Sequence, residues 1–428
     1  MSAYTKSTEF LEVASRIIPL GSQTFSKSKT QYPVGVSPLF IERAQGSKVW
    51  DIDGNEYVDF VNALLSVSIG YSYTQIDDAV INQLRKGVSF SLPSMLEYEV
   101  ASLLVELVPC AEMVRFGKNG SDATSAAIRL ARAYTSRDLI AVCGYHGWHD
   151  WYIGSTTKSL GVPSATADLT FSFPYNDIDA LERLLDTSQG KFAAIIMEPI
   201  NSTYPNPGYL EAVRDLANRH KVVLIFDEIC TGARVSPGGA QELFNVIPDL
   251  CVMGKGLANG HPLSAVMGRR EIMELCSEIF FSGTFGGETL SLAAAKTVLT
   301  MVRDDNVTQV LEDTGSKILD GVNQIVTDCG LNEIFTFSGH PSWSFINIIQ
   351  DTVADTMLLK TLFLQEMFKR GVLVLSSHNV SYSHSTSDVN FLLAAYSETM
   401  EVIKRNVDRK TVSRALDCDP LTLLFKVR

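Results

Sequence analysis

Four short apolar runs constrain this chain more than any other feature. Residues 139–143, 193–197, 222–226 and 250–253 are hydrophobic without a break. A strand with one wet face alternates polar and apolar side chains, so an unbroken run marks a strand covered on both faces. Amphipathic segments at 178–186 and 209–220 separate several of these runs. Apolar strands alternating with helices predict an α/β fold, a mostly parallel sheet with helices packed on both sides. At 428 residues and 46% hydrophobic content, the chain can bury such a core and a smaller companion.

The large domain is expected over 60–305, beginning with helices at 76–86, 95–107 and 121–135. Residues 1–59 and 306–428 are expected to form a smaller α+β domain, since neither piece looks self-sufficient. The first piece holds an amphipathic helix at 6–18 and a hairpin signal, Asp53-Gly54-Asn55, between alternating apolar positions. The second holds helices at 307–328, 353–370 and 386–406 with strands at 334–338 and 344–349, following a helix at 288–302. No internal repeat or low-complexity tract interrupts the pattern.

Charge and cysteine usage exclude several function classes. A net charge of −12 does not suit binding to nucleic acid or an anionic membrane surface, which needs clustered Lys and Arg. No run reaches the ~18 apolar residues that span a bilayer, and the first eighteen residues lack an unbroken signal-peptide core. The seven cysteines are scattered without metal-ligand spacing, so no metal site is expected. Reduced thiols point to a cytoplasmic protein.

The chemistry concentrates where the apolar runs end. Run 222–226 delivers Asp227-Glu228, and run 250–253 delivers Gly254-Lys255-Gly256. Tyr145-His146-Gly147 follows the first run and Glu198-Pro199 the second. Open α/β sheets bind ligands at the carboxyl ends of their strands. A carboxylate and an amine there can hold one aromatic cofactor: pyridoxal phosphate, which needs a lysine for its aldehyde and a carboxylate for its ring nitrogen. Asn119-Gly120-Ser121-Asp122 opens a helix and offers backbone N–H groups to an anion, although such a turn is more often only a cap. Gly283-Thr284 lies in a second loop of small and hydroxyl residues.

In order along the chain, these segments resemble the class III branch of the fold-type-I, pyridoxal-phosphate-dependent aminotransferases, nearest the glutamate-1-semialdehyde aminomutase type. The hairpin Trp50-Asp51-Ile52-Asp53-Gly54, the loop Asn119 to Ala123, Tyr145-His146-Gly147, Glu198-Pro199, Asp227-Glu228-Ile229 with Thr231-Gly232-Ala233-Arg234, Gly254-Lys255-Gly256 and Gly283-Thr284 carry the match. The resemblance implies a sheet of the seven-stranded type and an internal aldimine on Lys255, which then shuttles the proton. It implies that Asp227 holds the pyridine nitrogen, that Tyr145 and Ile229 sandwich the ring, and that Asn119, Gly120 and Ser121 bind the phosphate. His146 and Glu198 join the cofactor surroundings. Gly283 and Thr284 would reach the cofactor of a neighbouring subunit, which implies a homodimer with shared active sites.

The substrate positions depart from the aminomutase pattern. Ser22 to Lys27 replaces an Asn-Ser-Pro-Val-Arg run, Leu64 an active-site tryptophan, Tyr71 a histidine, and Leu375 to Asn379 a Phe-Glu-Ala-Gly-Phe stretch. The donor-binding arginine of many ω-aminotransferases has no counterpart. Gln23, Thr24, Ser26, Lys27, His378 and Asn379 are expected to form a polar lining. That lining suits an amino group passing from a small donor to the carbonyl of a polar, sugar-like acceptor; intramolecular aminomutation is the alternative. Residues 148–170, rich in Gly, Ser and Thr, are expected to be a mobile lid.

Overall fold

The computed structural model describes residues 3–423. The chain divides into two compact units: one runs to Tyr73 and resumes at Val310, and the other is Thr74–Gln309.

In the first unit, β1 (Ile41–Gln45), β2 (Lys48–Asp51) and β3 (Glu56–Asp59) form an antiparallel meander. The turn between β2 and β3 places Gly54 at φ +94°, a left-handed conformation that glycine adopts without strain. Its neighbour Asp53 caps the N-terminal helix Thr5–Ala14 by accepting from the amides of Lys6 at 2.7 Å and Ser7 at 2.9 Å. That helix ends at Ala14 rather than 18. Beyond it the chain breaks into single turns, with Leu20 at φ +62° after Pro19.

The second unit is built on a seven-stranded sheet. In chain order its strands are β4 (Met113–Gly117), β5 (Leu139–Cys143), β6 (Thr170–Ser172), β7 (Phe192–Met197), β8 (Val223–Asp227), β9 (Leu250–Met253) and β10 (Ser264–Gly268). Their order across the sheet is β4-β10-β9-β8-β7-β5-β6. Only β10 runs against both its neighbours; the other pairings are parallel. All of β7, β8 and β9 is buried. On one face, Ile196 and Ile225 pack against Ala123, Ala127 and Ala131 of the helix Gly120–Thr135, whose small side chains let it lie close to the sheet. On the other, Ile195 and Leu224 meet Leu181, Leu185, Leu210 and Val213 of two further helices. Burying each such side chain contributes roughly 1.5–3 kcal/mol. The fold is the α/β fold expected from the four apolar runs.

The first unit resumes with β11 (Phe335–His340), β12 (Trp343–Ile348), β13 (Val372–Leu373) and β14 (Ser377–Asn379). Strand β13 adds parallel to β3, and β11-β12-β14 make a separate antiparallel sheet. Among the described residues, no helix is long and apolar enough to cross a membrane.

Candidate active site

Because β5, β7, β8 and β9 run parallel, the residues that follow them share one edge of the sheet. Asp227 is buried there, and its Oδ2 lies 2.7 Å from His146 Nδ1 while its Oδ1 accepts from the Ile229 amide at 3.1 Å. The far ring nitrogen of His146, Nε2, is buried without a hydrogen-bond partner among the described residues. Glu198 Oε2 accepts from the Tyr145 amide at 3.2 Å. Gly144, at φ +108°, makes this approach possible, since a Cβ there would sit 2.3 Å from the Glu198 carboxylate. Burial, and then the charge of Asp227, push the Glu198 carboxyl up to about 7.

Lys255 directly follows Gly254 beyond β9 and holds φ at +42°, a strained value for a residue with a side chain. Its Nζ lies 2.6 Å from Cys230 Sγ. Burial works against its charge, but the Cys230 sulfur, Glu198 and Asp227 outweigh it and hold the amine above the usual lysine range. Burial pushes the Cys230 thiol up as well. In the sequence Cys230 is only one of seven scattered thiols; its one further signal is its position three residues beyond Asp227, between two segments that carry the match. Glu228 turns inward instead. It accepts from Thr231 Oγ1, the amides of Ala240 and Gln241, and the Gln241 side chain, and so fastens the loop that carries Ile229 and Cys230.

At the start of the helix Gly120–Thr135, the amides of Gly120 and Ser121 have no hydrogen-bond partner among the described residues. A Cβ on Gly120 would lie 2.7 Å from Ile229 Cδ1, and Gly254 abuts the same isoleucine. Ser121 Oγ accepts from the Trp148 amide at 3.2 Å, over Gly147 at φ +103°. Asn119 donates its amide to Asp122 at 2.8 Å. Asn119, Gly120, Ser121, Tyr145, His146, Glu198, Asp227, Ile229 and Lys255 thus belong to one edge of one unit. Gly283 and Thr284 are exposed on a loop that lines a separate cavity of about 400 Å³ with Lys118, Ser125 and His149. Residues 148–170 are anchored at both ends. Trp151 and Tyr152 are buried, Tyr152 Oη donates to Gly144 O at 2.8 Å, and Thr170 Oγ1 donates to Trp151 O at 2.5 Å.

The expected substrate residues lie in the first unit and separate into two groups. Lys27 lines a cavity of about 380 Å³ with Ser22, Tyr32, Asp59, Leu64 and Tyr71, whose remaining walls are largely apolar. Tyr71 Oη donates to Asp59 Oδ2 at 2.6 Å. Burial pushes the Asp59 carboxyl above its ordinary range, against the pull of Tyr71, the Asn62 and Val61 amides and the Lys27 charge. Gln23 and Thr24 are exposed outside that lining. His378 and Asn379, expected in a polar substrate lining, both make their side-chain hydrogen bonds inside the unit. His378 is fully buried, with Nδ1 3.0 Å from Ser344 Oγ and Nε2 2.7 Å from Tyr396 Oη, and burial drives its pKa down to about 3. Asn379 Nδ2 donates to Val61 O at 2.7 Å, while its own carbonyl accepts from the Asn62 side chain.

These bonds hold an unusual turn. Asn62, Ala63, Leu64 and Leu65 all have φ between +46° and +69°, one turn of left-handed helix. L-residues disfavour it by roughly 1–2 kcal/mol each. Asp59 Oδ1 holds its start by accepting from the amides of Val61 at 2.6 Å and Asn62 at 3.0 Å. Ala63 and Leu64 line the cavity.

The large unit offers an amine, a carboxylate buried against an imidazole, and a helix start with two free amides. That donor set fits the aldehyde, ring nitrogen and phosphate of pyridoxal phosphate. Among the described residues no group of three or more His, Cys, Asp or Glu could hold a metal ion. Fold and site define a pyridoxal-phosphate-dependent transferase. The family model for class III aminotransferases matches residues 31–387. The chain is 37% identical over 410 residues to the 3-aminobutyryl-CoA aminotransferase of Cloacimonas acidaminovorans, covering 94% of this chain and 98% of that one. It is 34% identical over 422 residues to the glutamate-1-semialdehyde 2,1-aminomutase of Syntrophobacter fumaroxidans, covering 91% and 96%. The solved structure of the FumI protein of Sphingopyxis sp. MTA144, in its pyridoxal-phosphate internal aldimine form, superposes with a TM-score of 0.89 at 25% identity, covering 97% and 99%. The chain belongs to the class III aminotransferases and is a pyridoxal-phosphate-dependent enzyme of that family.

Proposed function

We propose that this aminotransferase moves an amino group between two small molecules, one of which carries it on the third carbon of an acyl chain. The likeness to a 3-aminobutyryl-CoA aminotransferase carries this reading. Within the first unit, a cavity lined by Lys27 and Asp59 and otherwise largely apolar has Leu64 and Tyr71 at positions where the aminomutase pattern has tryptophan and histidine. The sugar-like acceptor loses two of its expected polar contacts with the burial of His378 and Asn379.

The following residues of the large unit have roles in this reading. The amine of Lys255 would hold the cofactor at its aldehyde and, once freed, would take up the proton that leaves the substrate carbon. Asp227, braced by His146, keeps the ring nitrogen protonated. Tyr145 and Ile229 flank the ring, and Asn119 to Ser121 hold the phosphate. Pyridoxal phosphate supplies the electron sink for the carbanion formed when that proton is removed. Thr284 serves the site of a second subunit in a homodimer. Free thiols suit the reducing cytoplasm.

The test offers the cofactor-loaded protein 3-aminobutyryl-CoA, free β-amino acids, an amino sugar and glutamate-1-semialdehyde. Conversion of 3-aminobutyryl-CoA to a 3-oxoacyl product, with the amino group left on the cofactor, is expected. Isomerisation of glutamate-1-semialdehyde without a co-substrate would overturn the proposal. Lys255→Ala is expected to lose the visible absorbance of the loaded protein and its borohydride-reducible link.

A further inference from the structure

Cys230 stands closer to the Lys255 amine than any carboxylate does, yet neither the fold nor the roles above require a thiol there. The Lys255 backbone is strained at φ +42°. The far end meets Cys230 Sγ at 2.6 Å. The thiol is itself held by its loop: the Gly232 amide donates to Glu228 O at 2.8 Å, Thr231 Oγ1 to the Glu228 carboxylate at 2.7 Å, and Gly232 is pressed against Met253. Both residues are of intermediate burial.

We propose that Cys230 is a positioning residue that parks the Lys255 amine when no ligand holds it. The other groups facing the amine are Glu198 beyond β7, Asp227 at the end of β8 and Tyr145 beyond β5. The two carboxylates already favour the ammonium, and the sulfur adds to them where the thiol is ionised. Removing the sulfur frees the amine at lower pH and lets its side chain wander. An amine that must lose a proton before attacking an aldehyde would then load cofactor over a wider pH range, with less control of where it starts.

The inference rests on Lys255 being the cofactor lysine. Borohydride reduction of the loaded protein followed by peptide mapping tests that assignment separately. The test proper uses the cofactor-free protein and o-phthalaldehyde, which joins an amine and a thiol in contact into a fluorescent isoindole with loss of two waters. Expected is an adduct linking Lys255 to Cys230, absent in Cys230→Ala and blocked by prior addition of pyridoxal phosphate. In parallel, Lys255 modification by an amine reagent is followed against pH. Its midpoint is expected to move down in Cys230→Ala, with Cys230→Ser, which keeps a hydrogen-bonding atom, in between. Failure to form the adduct, or an unchanged midpoint in Cys230→Ala, overturns the proposal even where mapping confirms Lys255.

Discussion

Glu198 is the residue whose environment makes the plainest demand on solution behaviour. Its carboxyl is raised from 4.5 to about 7 by burial and by Asp227. The folded protein therefore binds a proton there that the unfolded chain has released. This favours the folded state at pH below about 4.5, and the advantage is lost as pH rises through about 7. Linkage caps the effect at roughly 3 kcal/mol, and the partial exposure of the side chain lowers it. Glu198→Gln removes the titration, so the melting temperature of the cofactor-free protein should fall less between pH 5 and 8 than in the parent. Thermal melts across that range check this. Asp227 was legible in the sequence because an apolar run points at it. The imidazole that braces it was legible as a neighbour of Tyr145, but the bond between them was not, since 81 residues separate the partners.

At the scale of elements, the left-handed turn Asn62 to Leu65 is the strained piece, and Asn379 is its clasp. Asn379→Ala leaves Val61 O without its buried donor, at a cost of about 1–3 kcal/mol. The turn should loosen, with earlier unfolding of the first unit in a denaturant titration and faster hydrogen exchange at residues 61–67. Nothing in Asn-Ala-Leu-Leu announces a left-handed turn, because three of the four are helix formers and the clasp lies over 300 residues away. The same limit hid the fate of His378 and Asn379. A polar run reads as a surface, whereas β14 buries both by satisfying their polar groups inside the unit. The central strands β5, β7, β8 and β9 were legible because burial on both faces leaves no polar residue to break the run. Strands β4 and β10 were not. β4 carries Arg115 on an exposed edge, and β10 is largely small residues after a Gly-His-Pro stretch.

At the scale of the whole molecule, the large unit exposes apolar side chains that water does not favour. Phe90, Leu92, Met95 and Tyr98 are 51–78% exposed, and Phe280 is 83% exposed beside the loop of Thr284. A second copy covering these surfaces is the homodimer proposed above. If Thr284 serves the partner's site, Lys255→Ala and Thr284→Ala variants should each be impaired, and refolding them together should restore activity. The mixed dimer then holds one site with both residues intact, so recovery of up to half of the parental activity per hybrid is expected. Assay of co-refolded mixtures decides it, and no recovery would place Thr284 outside the partner's site.

Strand β10 carries one more consequence, in the order of assembly. It pairs antiparallel with β9, Met253 against Ala265 and Leu250 against Gly268, so only residues 254–263 separate the two strands. A short loop closes at small entropic cost, whereas β7 and β8 can pair only after a helical crossover has formed between them. The strand that presents Lys255 therefore belongs to a local hairpin that is able to form before the parallel centre of the sheet. The amine acquires its address early in the life of the chain, and the carboxylate that must face it arrives only with the long-range contacts.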